Sequence, residues 1–229
     1  MKKIFIGVIL LSLFINWGVY ASDYSVNQQI GDAIEDVTSH ITDDSAVISR
    51  SDCVTTIMKM IGLDKDTADR YGKAGYDEPV FLDVGIVETG ANTGYIYIAK
   101  FSGVAIGVSS NDRYITNFEP HRNVTIKECL TYMLRCLKDQ KTIEWDDIVD
   151  DAEEVGLLTE EEVTSLNFNE DISGDHFKEL LSRMFNMNRY LYWPIEEPGN
   201  GYHKSAKIDQ TNSISYIDWF LELKNEQAN

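Results

Sequence analysis

The sequence predicts a mainly α-helical protein in which three helix-loop-helix quasi-repeats form a pseudo-threefold bundle, completed by a C-terminal capping segment. The first observation is a pattern of residue types that occurs three times with mostly different amino acids, at residues 48–61, 124–137 and 172–185. Each copy opens with a β-branched residue and a hydroxyl residue, and apolar side chains follow at matching positions. The second observation is a content of 43% hydrophobic and 11% aromatic residues, which favours a packed core over disorder. Internal repeats are typical of scaffolds and binding surfaces, so they lower the expectation of an enzyme.

The repeated segments have the pattern of amphipathic helices with capped N-termini. In the first copy, the apolar side chains follow the i, i+3, i+4, i+7 spacing of one helix face: Val54, Ile57, Met58 and Ile61. Ser49 with Asp52 resembles a capping box, and Thr125 with Glu128 forms a complete one. In the third copy His176 replaces the acid, so that box is incomplete.

A weaker repeat precedes these helices. Residues 95–103 align with residues 148–156, and each stretch is predicted to be an apolar helix that stops at a glycine, Gly103 or Gly156. Residues 28–39 supply the corresponding helix of the first copy. The predicted division is therefore signal peptide 1–21, degenerate first repeat 22–63, long loop 64–94, second repeat 81–138, third repeat 139–188, and aromatic tail with terminal helix 189–229.

The N-terminus has the features of a secretory signal peptide. Two lysines precede an apolar run over residues 4–17, and Val19-Tyr20-Ala21 resembles the small-residue site at which a signal peptide is cleaved. An uncleaved membrane anchor is the alternative, but the run is shorter than the ~20 residues that a bilayer span needs. The formal charge of −18 becomes −20 when Lys2 and Lys3 are removed, and so acidic a surface repels nucleic acid and anionic lipid.

The chain contains three cysteines, an odd number for a secreted protein. Cys129 and Cys136 are seven residues apart on one predicted helix, roughly 10.5 Å along its axis, so they cannot pair while the helix is intact. Cys53 could meet either of them only if the helices lie close together. The main interpretation is that the cysteines fill core positions as small hydrophobic residues.

The ordered motifs of residues 81–137 resemble those of the S-layer homology domain family. Phe81-Leu82-Asp83-Val84 is similar to the opening motif of that family, residues 103–107 to its glycine turn, and residues 118–128 to its F-x-P and I-T-R-A-E motifs. The third copy lacks the opener and the proline, and the first copy keeps only residues 48–52. The resemblance implies a three-pronged helical prism that attaches surface proteins to bacterial cell-wall polysaccharide without catalysis.

In that family the arginine of the I-T-R-A-E motif helps to bind the acidic polysaccharide. Arg50 stands at this place in the first copy, whereas the second copy has Ile126 and the third has Gly174. The predicted ligand-binding residues are Arg50, Asp52, Lys127, Glu128, Tyr190, Tyr192 and Trp193. The alternatives are that Arg50 is an exposed first-turn residue, that the two acids only cap helices, and that the aromatic tail packs on the bundle. Phe118 and Phe168 are expected to fill the core beneath their loops.

Catalytic and metal-binding patterns are not evident in the sequence. The four histidines show no metal-ligand spacing: His40, His121, His176 and His203. The stretch from Asp64 begins like a calcium loop, but Ala68 fills a ligand position and Asp69 stands where the turn needs glycine. We therefore expect no catalytic residue, metal or cofactor, and a small hydrolase is only a third hypothesis.

The sequence as a whole predicts a secreted, non-catalytic module that associates with the bacterial cell surface, with cell-wall polysaccharide as its partner. The alternative is a protein-interaction or structural module that kept the fold and lost glycan binding, with a surface protein as its partner. The missing arginines in the second and third copies favour this alternative. Nucleic acid binding and stable membrane insertion after cleavage of the signal are not expected.

Overall fold

A computed structural model describes residues 25–41, 46–74, 80–85, 89–108, 116–193, 206–211 and 213–227. This part of the chain is mainly helical, which confirms the predicted fold class. The predicted signal peptide lies outside the described residues. Within the described residues, no helix is both long and apolar enough for a membrane span.

The helices, in chain order, are α1 (25–38), α2 (Arg50–Met60), α3 (Lys65–Ala74), α4 (Thr93–Phe101), α5 (Ile126–Leu137), α6 (Ile148–Glu154), α7 (Glu160–Ser165), α8 (Gly174–Phe185) and α9 (Tyr216–Gln227). Short 3-10 turns occur at Gly90–Asn92, Gln140–Thr142 and Trp145–Asp147. Strand β1 (Leu191–Tyr192) pairs antiparallel with β2 (Lys207–Ile208), with Leu191 opposite Ile208.

The starts of the three similar segments meet in a closed ring of backbone hydrogen bonds. Ile48 N donates to Ile172 O at 3.1 Å, Ile172 N donates to Val124 O at 3.0 Å, and Val124 N donates to Ile48 O at 2.9 Å. All three side chains are buried. Helices α2, α5 and α8 therefore begin side by side around one point. The larger division of the chain into three repeats stays a prediction.

The predicted N-caps of these helices are confirmed. The hydroxyl oxygens of Ser49, Thr125 and Ser173 accept hydrogen bonds from backbone N–H groups three residues later. Only the Thr125 cap is reciprocated, because Glu128 accepts from the Thr125 backbone N–H at 3.1 Å. The hydroxyl at each helix start thus satisfies one donor of the exposed first turn.

The glycine stops that follow α4 and α6 are also confirmed. Gly103 and Gly156 have φ angles of 74° and 85°, a backbone conformation that other residues rarely adopt. Their backbone N–H groups bond the carbonyls three residues earlier, which ends both helices. Both helices bury their alanine, Ala99 or Ala152, in the core.

The predicted long loop over 64–94 is wrong for residues 65–74, which form α3. Asp64 caps this helix, because its carboxylate accepts from the Thr67 backbone N–H at 2.7 Å and from the Thr67 hydroxyl at 2.8 Å. The buried Ala68 then lies directly against the backbone of Gly94 in α4. The acidic residues that looked like a broken calcium loop are thus the first turn of a helix.

The C-terminal segment packs onto the helices. Trp193 N donates to Ile61 O at 2.7 Å, which joins β1 to the end of α2. The Tyr216 hydroxyl lies 2.7 Å from Cys136 O and 2.8 Å from Leu191 O, so hydrogen bonds connect α9 to α5 and β1. This contact pattern is the one expected of a capping segment.

Candidate functional site

Arg50 lies inside the protein and not on its surface. The residue is only 2% exposed, its Nε donates to Phe118 O at 2.7 Å, and its Nη1 donates to Glu128 Oε1 at 2.6 Å. The guanidinium also covers the rings of Phe118 and Tyr132, at 4.9 Å and 5.7 Å from their centroids. The Nε and Nη1 donors and the flat face of the guanidinium are thus engaged within the fold, which favours a structural role for Arg50. Its contact with a glycan stays a prediction.

The two acids near Arg50 also have structural partners. Asp52 accepts from the Ser49 hydroxyl at 2.7 Å and from Asn92 Nδ2 at 3.2 Å. Glu128 binds Arg50 and Arg122 with the same oxygen, each at 2.6 Å. The capping alternative thus accounts for Asp52 and Glu128 without any ligand.

The electrostatics of this centre hold Glu128 in its charged form. Burial alone would raise the pKa of the Glu128 carboxyl, but hydrogen bonds from Arg122 and from the Thr125 backbone, with the charge of Arg50, lower it below its ordinary value. The hydrogen bond to Glu128 in turn raises the pKa of Arg122. The centre is a charged network that joins α2, α5 and the turn before α5.

The family's other two arginine positions, on α5 and α8, and the predicted residue Lys127 do not extend this centre into a binding surface. Ile126 and Gly174, which stand where the family has arginine, are buried. Lys127 lies with its Nζ 4.8 Å from the centroid of the Trp145 ring, and Trp145 is 51% exposed. Lys127 and Trp145 therefore form a cation–π pair at the surface.

The aromatic residues of the tail divide into two places. Tyr192 packs edge-on against Trp219 at 5.3 Å, beneath the Arg189 guanidinium 4.0 Å from its centroid. Tyr190 and Trp193 instead line an open cleft of about 480 Å³. Of the three predicted tail residues, two therefore belong to a concave site and one belongs to a packed cluster.

The aromatic cleft, as we call this site, is assembled from four parts of the chain. Its walls come from α3, the end of α4, the turn before α6 and the β1–β2 ribbon. The residues that matter most for its chemistry are Tyr71, Phe101, Gln140, Lys141, Tyr190 and Trp193. Phe101 is 72% exposed at the cleft, so its ring is accessible to a ligand.

One buried polar group behind the wall of the aromatic cleft has no hydrogen-bond partner in this structure. Trp193 is 2% exposed, and its indole Nε1 is buried without a hydrogen bond. A buried indole N–H normally finds an acceptor. The cleft itself combines aromatic walls with amide and charged groups, whereas the Trp193 indole N–H is buried and not open to it. This combination suits a ligand with an apolar ring face and hydrogen-bonding edges.

Sequence reasoning found Tyr190 and Trp193 but missed Tyr71, Phe101 and the 139–141 turn. Tyr71 comes from the stretch predicted to be a loop, Phe101 from the interior of the second repeat, and residues 139–141 from the start of the third. The described residues contain no group of three or more His, Cys, Asp or Glu side chains that could hold a metal ion.

Comparison with known proteins adds no assignment: no family model, no curated protein and no solved structure matches this chain.

Proposed function

We propose that this chain is a secreted, non-catalytic module that associates with the bacterial cell surface by binding cell-wall polysaccharide in the aromatic cleft. The observation that carries the proposal is the cleft itself, with Tyr190 and Trp193 in its wall. A cleft of about 480 Å³ is in the size range of sites that take a small molecule or a few sugar units.

The chemistry of a sugar ring matches the aromatic cleft. One face of a pyranose presents C–H groups that pack on aromatic rings, whereas its edges carry hydroxyl groups that both donate and accept. Tyr71, Tyr190 and Phe101 supply rings, and Gln140 and Lys141 supply polar groups at the same opening. Aromatic side chains with polar edges favour surfaces that are partly apolar and partly in contact with water.

The fold gives independent support. The S-layer homology resemblance implies three helical prongs around one axis, and the ring formed by Ile48, Val124 and Ile172 joins the starts of α2, α5 and α8. The polysaccharide site differs from the one that the resemblance implies, because Arg50 is internal. Binding would thus have moved from the prism groove to the cleft beside the C-terminal segment.

The direct test is retention on deproteinised cell walls from the source bacterium. We expect the double substitution Phe101→Ala and Tyr190→Ala to weaken retention by roughly tenfold, about 1.4 kcal/mol, because both rings would leave the cleft. The matched control is Trp145→Ala, an exposed aromatic residue outside the cleft, which should change retention by less than about twofold. Equal retention of all three proteins would refute the cleft as the glycan site.

The second candidate is a protein-interaction module that lost glycan binding. Burial of Arg50, Ile126 and Gly174 favours it, because none of the three positions offers a cation to an acidic polymer. This candidate predicts binding to intact cells that disappears when surface proteins are digested. Retention on deproteinised walls would exclude it.

A further inference from the structure

Cys53 and Cys129 occupy the same position in two neighbouring helices. Each is the fourth residue after its N-cap, Ser49 in α2 and Thr125 in α5. The hydrogen bond of 2.9 Å between Val124 N and Ile48 O fixes the two helix starts side by side. Both cysteines are fully buried, so their side chains point into the same core.

The two thiols are neighbours in this core. The Cys129 side chain lies near enough to the Cys53 thiol to affect its pKa, and both cysteines are reduced in this structure. The third cysteine, Cys136, lies two turns farther along α5, roughly 10.5 Å from Cys129 along the axis. Its carbonyl accepts from the Tyr216 hydroxyl at the opposite end of that helix. Cys53 and Cys129 are therefore the pair of cysteines that the neighbouring helix starts bring together.

We propose that Cys53 and Cys129 form an intramolecular disulfide when the chain folds in the presence of a low-molecular-weight disulfide, and that Cys136 stays reduced. The thiolate of one cysteine attacks the oxidant, oxidised glutathione for example, and releases one glutathione thiolate. The second cysteine attacks the mixed disulfide and releases the other glutathione. The two protein thiols lose two electrons and two protons, and one glutathione disulfide becomes two thiols.

Burial determines when this reaction occurs. Desolvation raises the pKa of the Cys53 thiol well above its ordinary range, and the neighbouring Cys129 thiol raises it further. The thiolate is the reacting species, so the folded, reduced protein exchanges slowly. The bond accordingly forms while the core is still open, and the folded protein then protects it. This chemistry is independent of what the aromatic cleft binds.

The test is refolding of the reduced, full-length chain in a mixture of reduced and oxidised glutathione, followed by alkylation and mass spectrometry under denaturing conditions. We expect a mass about 2 Da below that of the reduced chain before alkylation, and one alkylated thiol, located at Cys136. Reduction of the bond should lower the melting temperature by roughly 10 °C, because the bridge closes a loop of more than seventy residues.

Three variants assign the bond. Cys136→Ala should keep the loss of about 2 Da, whereas Cys53→Ala and Cys129→Ala should each abolish it. The wild-type result stands alone if a variant fails to fold. Three alkylated thiols in the wild-type chain, a stable glutathione adduct, or a bridge that includes Cys136 would each overturn the proposal.

Discussion

At the scale of single residues, Arg50 shows how far a local pattern can mislead. A cation in the first turn of a capped helix is normally solvated, and the sequence around Arg50 contains nothing that would cover it. The cover comes from Phe118, sixty-eight residues away, whose carbonyl accepts from Arg50 Nε and whose ring lies under the guanidinium. A contact over such a distance in sequence cannot be predicted from helix periodicity.

The structural role of Arg50 predicts a large loss of stability on substitution. Arg50→Met should lower the free energy of unfolding by about 3 kcal/mol, because it leaves the buried Phe118 carbonyl without its donor and removes one of the cations on Glu128. The measurement is urea unfolding followed by circular dichroism. Folded Arg50→Met protein should keep its retention on cell walls.

Arg122→Met is the matched control, because Arg122 binds the same Glu128 oxygen at the same distance of 2.6 Å. Its side chain is 38% exposed, so this substitution should cost less than about 1 kcal/mol. A loss for Arg50→Met no larger than that of Arg122→Met would contradict the structural role.

Glu162 gives the protein a predictable dependence on pH. Burial would raise the pKa of its carboxyl, but two hydrogen bonds from Arg183, at 2.6 Å and 3.0 Å, and the Thr159 cap lower it to about 2. This value lies below the unfolded pKa of about 4.3, so the charged form stabilises the fold above pH 4.3. The stabilisation is lost as the pH falls towards 2.

Glu162→Gln should therefore destabilise the protein at pH 7, and its difference from wild type should shrink as the pH falls from 4.5 to 2.5. Glutamine can still close the capping box, so the charge is the main loss. Glu179→Gln is the control, because Glu179 pairs with the same Arg183 from a more exposed position. The urea midpoints of wild type and the two variants at pH 7 and pH 2.5 provide the measurement. An equal difference between wild type and Glu162→Gln at these two pH values would rule out this account.

At the scale of secondary structure elements, the sequence predicted the helices whose signals are local. Helices α2, α5 and α8 each combine a hydroxyl cap with an apolar stripe, and both signals lie within a few turns. Helix α3 lacks the stripe, because it packs through the small residues Ala68 and Gly72 against α4. Packing by small residues leaves little hydrophobic periodicity, which is why the sequence predicts a loop in place of α3.

The close packing of α3 on α4 predicts opposite effects for two glycine-to-alanine substitutions. A Cβ on Gly94 would overlap the backbone carbonyl of Ala68, so Gly94→Ala should lower the free energy of unfolding by about 3 kcal/mol. Gly31 in α1 is exposed and has open space around it, so Gly31→Ala should raise the free energy of unfolding by about 0.5 to 1 kcal/mol.

Both effects can be measured by thermal and urea unfolding. A Gly94→Ala protein as stable as wild type would mean that α3 and α4 do not pack as closely as described. A destabilised Gly31→Ala protein would show that Gly31 contacts another part of the chain.

At the scale of the whole molecule, the mainly helical fold class and the proximity of the starts of the three repeated segments could be predicted from the sequence. The aromatic cleft could not. A repeat is visible in one dimension, so the proximity of Ile48, Val124 and Ile172 could be expected before any coordinates. The cleft joins Tyr71, Phe101, residues 139–141 and β1, which share no motif. Only the packing of α3 and the C-terminal segment brings these residues together.

The net charge of the molecule predicts its response to salt. With 38 acidic and 20 basic residues, the chain carries a formal charge of −18 at pH 7, and the compact state suffers more self-repulsion than the expanded chain. Sodium chloride shortens the screening length from about 30 Å at 0.01 M to about 8 Å at 0.15 M. Exposed ion pairs such as Lys224–Asp36 each contribute at most about 1 kcal/mol. Screening these pairs therefore lowers the free energy of unfolding by less than screening the repulsion raises it.

The melting temperature at pH 7 should therefore rise by roughly 3 to 6 °C between 0.01 M and 0.15 M sodium chloride. The control is the same titration at pH 4.5, close to the isoelectric point, where the net charge nearly vanishes and salt only weakens attractive pairs. There the rise should disappear or reverse. A melting temperature that falls with salt at pH 7 would show that attractive pairs, and not the excess of carboxylates, dominate the electrostatics of the folded chain.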